Sequence, residues 1–263
     1  MWVRDERLAA WTTPSRNPWI IGSSNRTLRA SRFIGCDRAG VGVRGSEVAG
    51  MQIDSPRLTE AGSSLVVNGV DVVPIVDAEL NRRFPGRELR NATDPAGLRA
   101  AWDALEGTWT ATTARAGALP EGMPDASVEG EWSFAQTLRH LVMATDTWLG
   151  KAILQREQPY DPVGVPSGDG EDTVAYESAV FSAETPGFDA VLEVRAGRRA
   201  MVRAFLAGAT PADLAAPRKN PHAPEHAETV LSCLHTILEE EWEHHRYAVR
   251  DLDALAAEDA RPR

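Results

Sequence analysis

The sequence predicts a mainly α protein, a four-helix bundle preceded by a small β-rich N-terminal segment. Three observations carry this reading. From Asp94 onward, apolar residues recur three and four apart through four stretches of helical length. Two of these stretches open on helix-start signals: Asp94-Pro95, and Ser133 followed by Gln136. Before about residue 90 the helical period is confined to one short run, and glycines fall at regular intervals instead. Four amphipathic helices bury their apolar stripes most simply against one another, which makes the bundle.

In chain order, residues 1–26 show no period and read as an irregular arm. A five-residue rhythm begins at Ser31: SRFIG, CDRAG, VGVRG, SEVAG, MQIDS. Glycines recur at Gly35, Gly40, Gly45 and Gly50, with Phe33, Arg38, Val43, Val48 and Ile53 at the centres. A fixed period of this kind suits a stacking unit that buries one residue per copy. Residues 27–60 resemble a degenerate pentapeptide repeat of the A(D/N)LXX type. That resemblance implies a right-handed quadrilateral β-helix, of which this segment completes little more than one coil. A plain Gly-rich loop accounts for the same glycines. Ser64–Val73 is strand-like, with Asn68-Gly69 as a turn signal. A short helix starts at Pro74, with Ile75, Ala78, Leu80 and Phe84 on one side. Pro85, Gly86 and the polar stretch to Asp94 read as a linker. Residues 27–90 are therefore taken as one segment, 91–257 as the bundle and 258–263 as a tail.

The first bundle helix carries Leu98, Trp102, Leu105, Trp109 and Thr112 on its core face and stops near Leu119-Pro120. The second, from Phe134 to Leu154, carries Phe134, Leu138, Leu141, Thr145, Trp148 and Ala152. A Pro/Gly/Asp-rich connection, Glu157–Pro186, is unusually long for packed helices and long enough to cover a site. The third helix, Phe188–Leu206, bears Val191, Val194, Met201, Val202 and Phe205. A polar loop through Pro224 leads to the fourth, within Glu225–Ala256. The two long connections permit topologies other than up-and-down.

Charge and cysteines narrow the function classes. A formal net charge of −10 without a basic stripe argues against nucleic acid as a partner. The longest uncharged runs, Ala61–Val70 and Thr229–Leu238, are too short to span a bilayer. The N-terminus has no apolar core of a secretion signal. Cys36 and Cys233 lack CxxC spacing and fit a reducing cytoplasm, with Cys233 read as a packed thiol.

The chemistry-bearing stretch is the fourth helix. Its apolar stripe runs Leu231, Leu234, Leu238, Glu241, His245, Val249, Leu252 and Leu255. Glu241 and His245 interrupt that stripe four residues apart, so they project from one face a turn from each other. A carboxylate and an imidazole buried together need a partner, and a divalent metal is one. His140, flanking the stripe of the second helix between the small residues Thr137 and Ala144, is the third candidate ligand. His244 is an alternative to His245, but it points away from the stripe and suits an outer face. Arg246 and Tyr247 are read as hydrogen-bonding neighbours or as surface residues. His235 is read as an ordinary polar-face residue, and Asp146 as the partner of a cation. Trp148 and Trp242 are read as aromatic filler.

LRHLVMATDTWL at 138–149 and EEEWEHHRYAVRDLDAL at 239–255 together resemble the DinB/YfiT-like metal-binding four-helix bundles. The family's HxxxHR pattern falls on Glu241, His245 and Arg246, with glutamate in place of the first histidine, and its other histidine falls on His140. The resemblance implies one divalent ion held by His140, Glu241 and His245. Two imidazoles and a carboxylate suit Zn²⁺ less selectively than three imidazoles, and admit Ni²⁺, Mn²⁺ or Fe²⁺. It further implies a thiol-dependent S-transferase or isomerase using mycothiol or another small thiol against an electrophile. A metal-dependent hydrolase and a non-catalytic metal-binding or interaction module remain alternatives.

Overall fold

The computed structural model describes Ser31, Phe33 and residues 36–60, 62–166, 178–182 and 184–259. The expected arm, 1–26, and most of the tail lie outside the described residues. The chain divides after Ile53 into two units, so the short first helix groups with the bundle rather than lying beyond a boundary near residue 90.

In the N-terminal unit the five-residue rhythm survives in the backbone, since Gly40, Gly45 and Gly50 all have positive φ. Its described centres do not face an interior. Phe33, Val43, Val48 and Ile53 are each more than half exposed. No strand occurs among the described residues of this segment, so the expected coil, with its inward stack, is not formed by them.

The second unit opens with a hairpin, β1 (Val66–Val67) and β2 (Val70–Asp71), paired antiparallel. Asn68 and Gly69 both have positive φ, 49° and 84°, as a type I′ turn requires. Helix α1 (Val73–Arg83) follows, with proline in its first turn. It buries no residue fully and is tied down by charge. Asp77 accepts from Arg87 at 2.7 Å and from Arg90 at 2.8 Å, and both arginines are buried. The turn between them depends on Gly86, at φ 95°, where an added Cβ would lie 2.6 Å from the Ala104 Cβ. Gly86→Ala is expected to cost about 1–3 kcal/mol through left-handed strain and the clash together. Gly69→Ala, equally left-handed but with open space around it, is expected to cost less. Urea unfolding of the two variants checks the order.

Helix α2 (Pro95–Gly117) is capped by Asp94, whose carboxylate accepts from the Ala96 and Gly97 amides. All five residues expected on its core face are buried. Helix α3 (Phe134–Thr145) begins with the full Ser133/Gln136 capping box. It does not run on as an α-helix, as expected, but turns π-helical from Asp146 to Ile153. The widened turn closes with the Leu154 amide donating to the Leu149 carbonyl at 2.8 Å, five residues back. Asp146, at the changeover and fully buried, accepts from Arg198 at 2.6 Å and from the Asp161 amide at 2.9 Å. The cation expected for Asp146 is therefore Arg198. The first, described part of the long connection is tied to α3, where Arg139 Nε donates to the Val163 carbonyl at 2.8 Å.

Helix α4 (Phe188–Gly208) is followed by the short α5 (Pro211–Leu214). A second hairpin, β3 (Pro217–Lys219) with β4 (Ala227–Thr229), replaces the expected plain loop. The last helix, α6 (Val230–Asp259), starts after it. Helices α2 and α3 each pack against both α4 and α6, so the sequential pair α2 and α3 lie diagonally across the bundle. The core between them is built from Trp102, Trp109, Leu138, Leu141, Leu238, Trp242 and Leu252, among others. No helix among the described residues is long and apolar enough to cross a membrane.

Candidate metal centre

Helix α6 is buried over more than one face because it packs on α2 and α3 at once. Residues one apart on a helix point about 100° apart, so its acidic and histidine run EEEWEHH is shared between two neighbours. Glu240 and His244 turn to α3, where His140 meets them. His140, Glu240 and His244 can each present a ligand atom such that all three lie within 4.8 Å of one another. His140 Nε2 is 3.4 Å from Glu240 Oε2, and the two imidazoles stack with centroids 4.6 Å apart. A tetrahedral ion with bonds of about 2.0–2.1 Å needs donors roughly 3.3 Å apart, so small side-chain rotations would complete the site.

The protonation states suit ligation. His244 Nδ1 lies 2.8 Å from the carbonyl oxygen of Glu240 and must donate to it, which leaves the lone pair on Nε2. Burial, and next the neighbouring His140, push His244 down to about 4, so it is neutral near pH 7. Burial would raise Glu240, but His140 and His244 beside it hold its carboxyl below the ordinary value. His140 Nδ1 is buried with no hydrogen-bond partner. The half-buried Trp132, just before the α3 cap, covers both imidazoles, at 4.8 Å from His140 and 6.2 Å from His244. The donor set of two imidazoles and a carboxylate fits a divalent metal.

The two α6 residues expected beside His140 face elsewhere. Glu241, 1% exposed, is gripped through both carboxylate oxygens by Nη2 of Arg195 on α4. Burial raises Glu241, and Arg195 opposes that rise. His245 faces α2, where its Nε2 is 2.7 Å from Thr112 Oγ1. The Thr112 hydroxyl has one proton and the Thr108 carbonyl lies 3.1 Å away to accept it, so His245 Nε2–H donates to the hydroxyl. Phe84, Trp109 and Trp242 pack edge-on around the ring, at centroid distances of 5.6, 5.0 and 6.0 Å. Burial pushes His245 down to about 4, making it a neutral core imidazole. Glu241 thus has a protein partner in Arg195 and His245 Nε2 one in Thr112, while His245 Nδ1 is buried without a hydrogen-bond partner.

A family model described as the DinB superfamily matches residues 104–248, more than half of the chain. The chain belongs to the DinB superfamily. The match runs from within α2 to within α6 and so includes His140, Glu240 and His244. No curated protein and no solved structure matches the chain. Within this DinB-superfamily bundle, Arg246 pairs with Glu243 at 2.8 Å and with Asp54 at 2.7 Å, an ion network rather than support for the ligands. His235, half-buried, reaches the Ala92 carbonyl at 2.8 Å. Trp242 is core filler, as expected. Glu240 and Trp132 at the candidate site, and Arg195 as the partner of Glu241, are the residues that sequence reasoning passed over. An arginine one turn after Val191 on the stripe of α4 was the available signal, since a buried guanidinium demands a carboxylate from another helix.

Proposed function

We propose that this DinB-superfamily protein holds one divalent metal through His140, Glu240 and His244, and works as an S-transferase or isomerase dependent on a small thiol of the mycothiol type. The supporting observation is the convergence of three ligand-capable side chains, from α3 and α6, on one partly buried spot beside Trp132. The ion is Zn²⁺, Ni²⁺, Mn²⁺ or Fe²⁺, since the mixed nitrogen and oxygen donor set suits each of them. Three protein ligands leave room for a further ligand, the arrangement of catalytic rather than structural sites. The chemistry an ion supplies there is to acidify a thiol for attack on an electrophile. Cys233 does not supply the sulfur, because burial pushes its thiol up to about 12.

Elemental analysis of the purified protein is expected to find about one divalent metal per chain. Thiol consumption with mycothiol and a panel of electrophiles is then expected to fall on metal removal and return on reloading. Metal without turnover would leave a binding module, and thiol-independent ester cleavage would make it a hydrolase. A chain that takes up no divalent metal would defeat the proposal altogether.

A further inference from the structure

A second polar feature lies apart from the histidine cluster. A cavity of about 90 Å³, several waters' worth, is lined by Trp109, Thr113, Leu138, Leu192, Arg195 and Arg199. Trp109, Leu138 and Arg195 are buried and form its floor, while Thr113, Leu192 and Arg199 are partly exposed and form its mouth. Arg195 spends only Nη2 on Glu241, and its Nε and Nη1 are buried without a partner. Nε of Arg199 is buried and unpartnered too. Glu241 pairs with Arg195 and nearby Glu106 with Arg203, so no carboxylate among the described residues is left to pair with Arg199. Uncompensated buried donors and charge are costly unless a ligand satisfies them.

We infer that this cavity binds the carboxylate of a small organic acid. The excess is one positive charge, which a monoanion neutralises. Guanidinium groups offer planar forks that match a carboxylate. The Trp109, Leu138 and Leu192 walls suit the attached carbon chain, whereas a phosphate dianion would overfill the charge and face apolar side chains. Burial, and then the charge of Arg195, hold Arg199 below its ordinary value, a repulsion that a bound anion would relieve. The site uses no residue of the metal cluster, so it stands or falls independently of the proposed activity.

The test is thermal unfolding of the full chain in sodium acetate, sodium butyrate or sodium phosphate against sodium chloride at matched ionic strength. Acetate or butyrate is expected to raise Tm by a few degrees over chloride. The rise should persist with a chelator present and in His244→Ala, and vanish in Arg199→Gln. Thr113→Leu, which narrows the mouth without changing charge, should also abolish it and gives an answer if Arg199→Gln does not fold. A response to butyrate as large as that to acetate identifies the end of a longer acid, and acetate alone a compact one. No carboxylate effect beyond chloride would mean that water fills the cavity and would overturn the inference. So would a larger effect of phosphate, or an undiminished response in both variants.

Discussion

Replacing His244 with alanine is expected to strip the protein of its divalent metal, while His245→Ala keeps the metal and loses stability. The two residues are neighbours in sequence and equally spaced from a glutamate, yet they face different helices. His244 stacks on His140 beside Glu240, and the three converge. Loss of hydrogen-bond partners behind a ligand already costs ~10–100-fold in metal affinity, so loss of a ligand should cost at least about the upper figure. His245 is enclosed by Phe84, Trp109 and Trp242. Its removal leaves a hole among three aromatic rings, for which large-to-small replacement suggests about 2–5 kcal/mol. It also leaves the Thr112 hydroxyl without its imidazole. Metal content after dialysis and urea unfolding separate the outcomes. If His245→Ala loses the ion and His244→Ala retains it, the ligand set reverts to the residues of the apolar stripe.

Why the sequence singles out Glu241 and His245, while the structure groups Glu240 and His244 with His140, follows from where the stripe points. Periodicity locates the face of a helix that is buried, and on that criterion Leu98, Trp102, Leu105, Trp109 and Thr112 were all legible, as were the Asp94 and Ser133 caps. The Asn68-Gly69 turn was legible as well, because few residue pairs adopt two positive φ angles in succession. Periodicity does not say which neighbour each flank meets. The run EEEWEHH holds two interleaved Glu-x-x-x-His pairs, and choosing between them requires knowing on which side α3 lies. His140 was seen to flank its own stripe, and the residues it meets on α6 are flank residues too. The π-helical turn at Asp146 escaped notice for a related reason. At the changeover Asp146 is held by tertiary partners, Arg198 and the Asp161 amide, which local composition does not reveal. The N-terminal glycine period was real as a backbone feature, but period alone did not establish that the centres face inward.

Arg195 and Glu241 should be strongly destabilising to change singly and far less so together. The pair lies between α4 and α6, with the side chains 4% and 1% exposed, so neither charge can turn to water when its partner goes. Removing one member of such a pair costs about 3–5 kcal/mol, because the other is left charged and desolvated. Arg195→Met is the milder single change: the stranded Glu241 can take up a proton, in the direction that burial already drives it. Glu241→Leu is the harsher, since a stranded arginine keeps its charge and Arg199 adds repulsion on the same helix. The double variant Arg195→Met/Glu241→Leu removes both desolvation costs and leaves apolar side chains in a site already walled by Trp109 and Leu138. It is expected to recover most of the loss, with a coupling of several kcal/mol in a double-mutant cycle from urea unfolding. Metal content should be unchanged in the double variant, because neither residue belongs to the His140–Glu240–His244 group, whereas the acetate response should disappear with the guanidinium. Additive single effects would show that the two residues do not form the buried pair. Loss of metal in the folded double variant would return Glu241 to the ligand set.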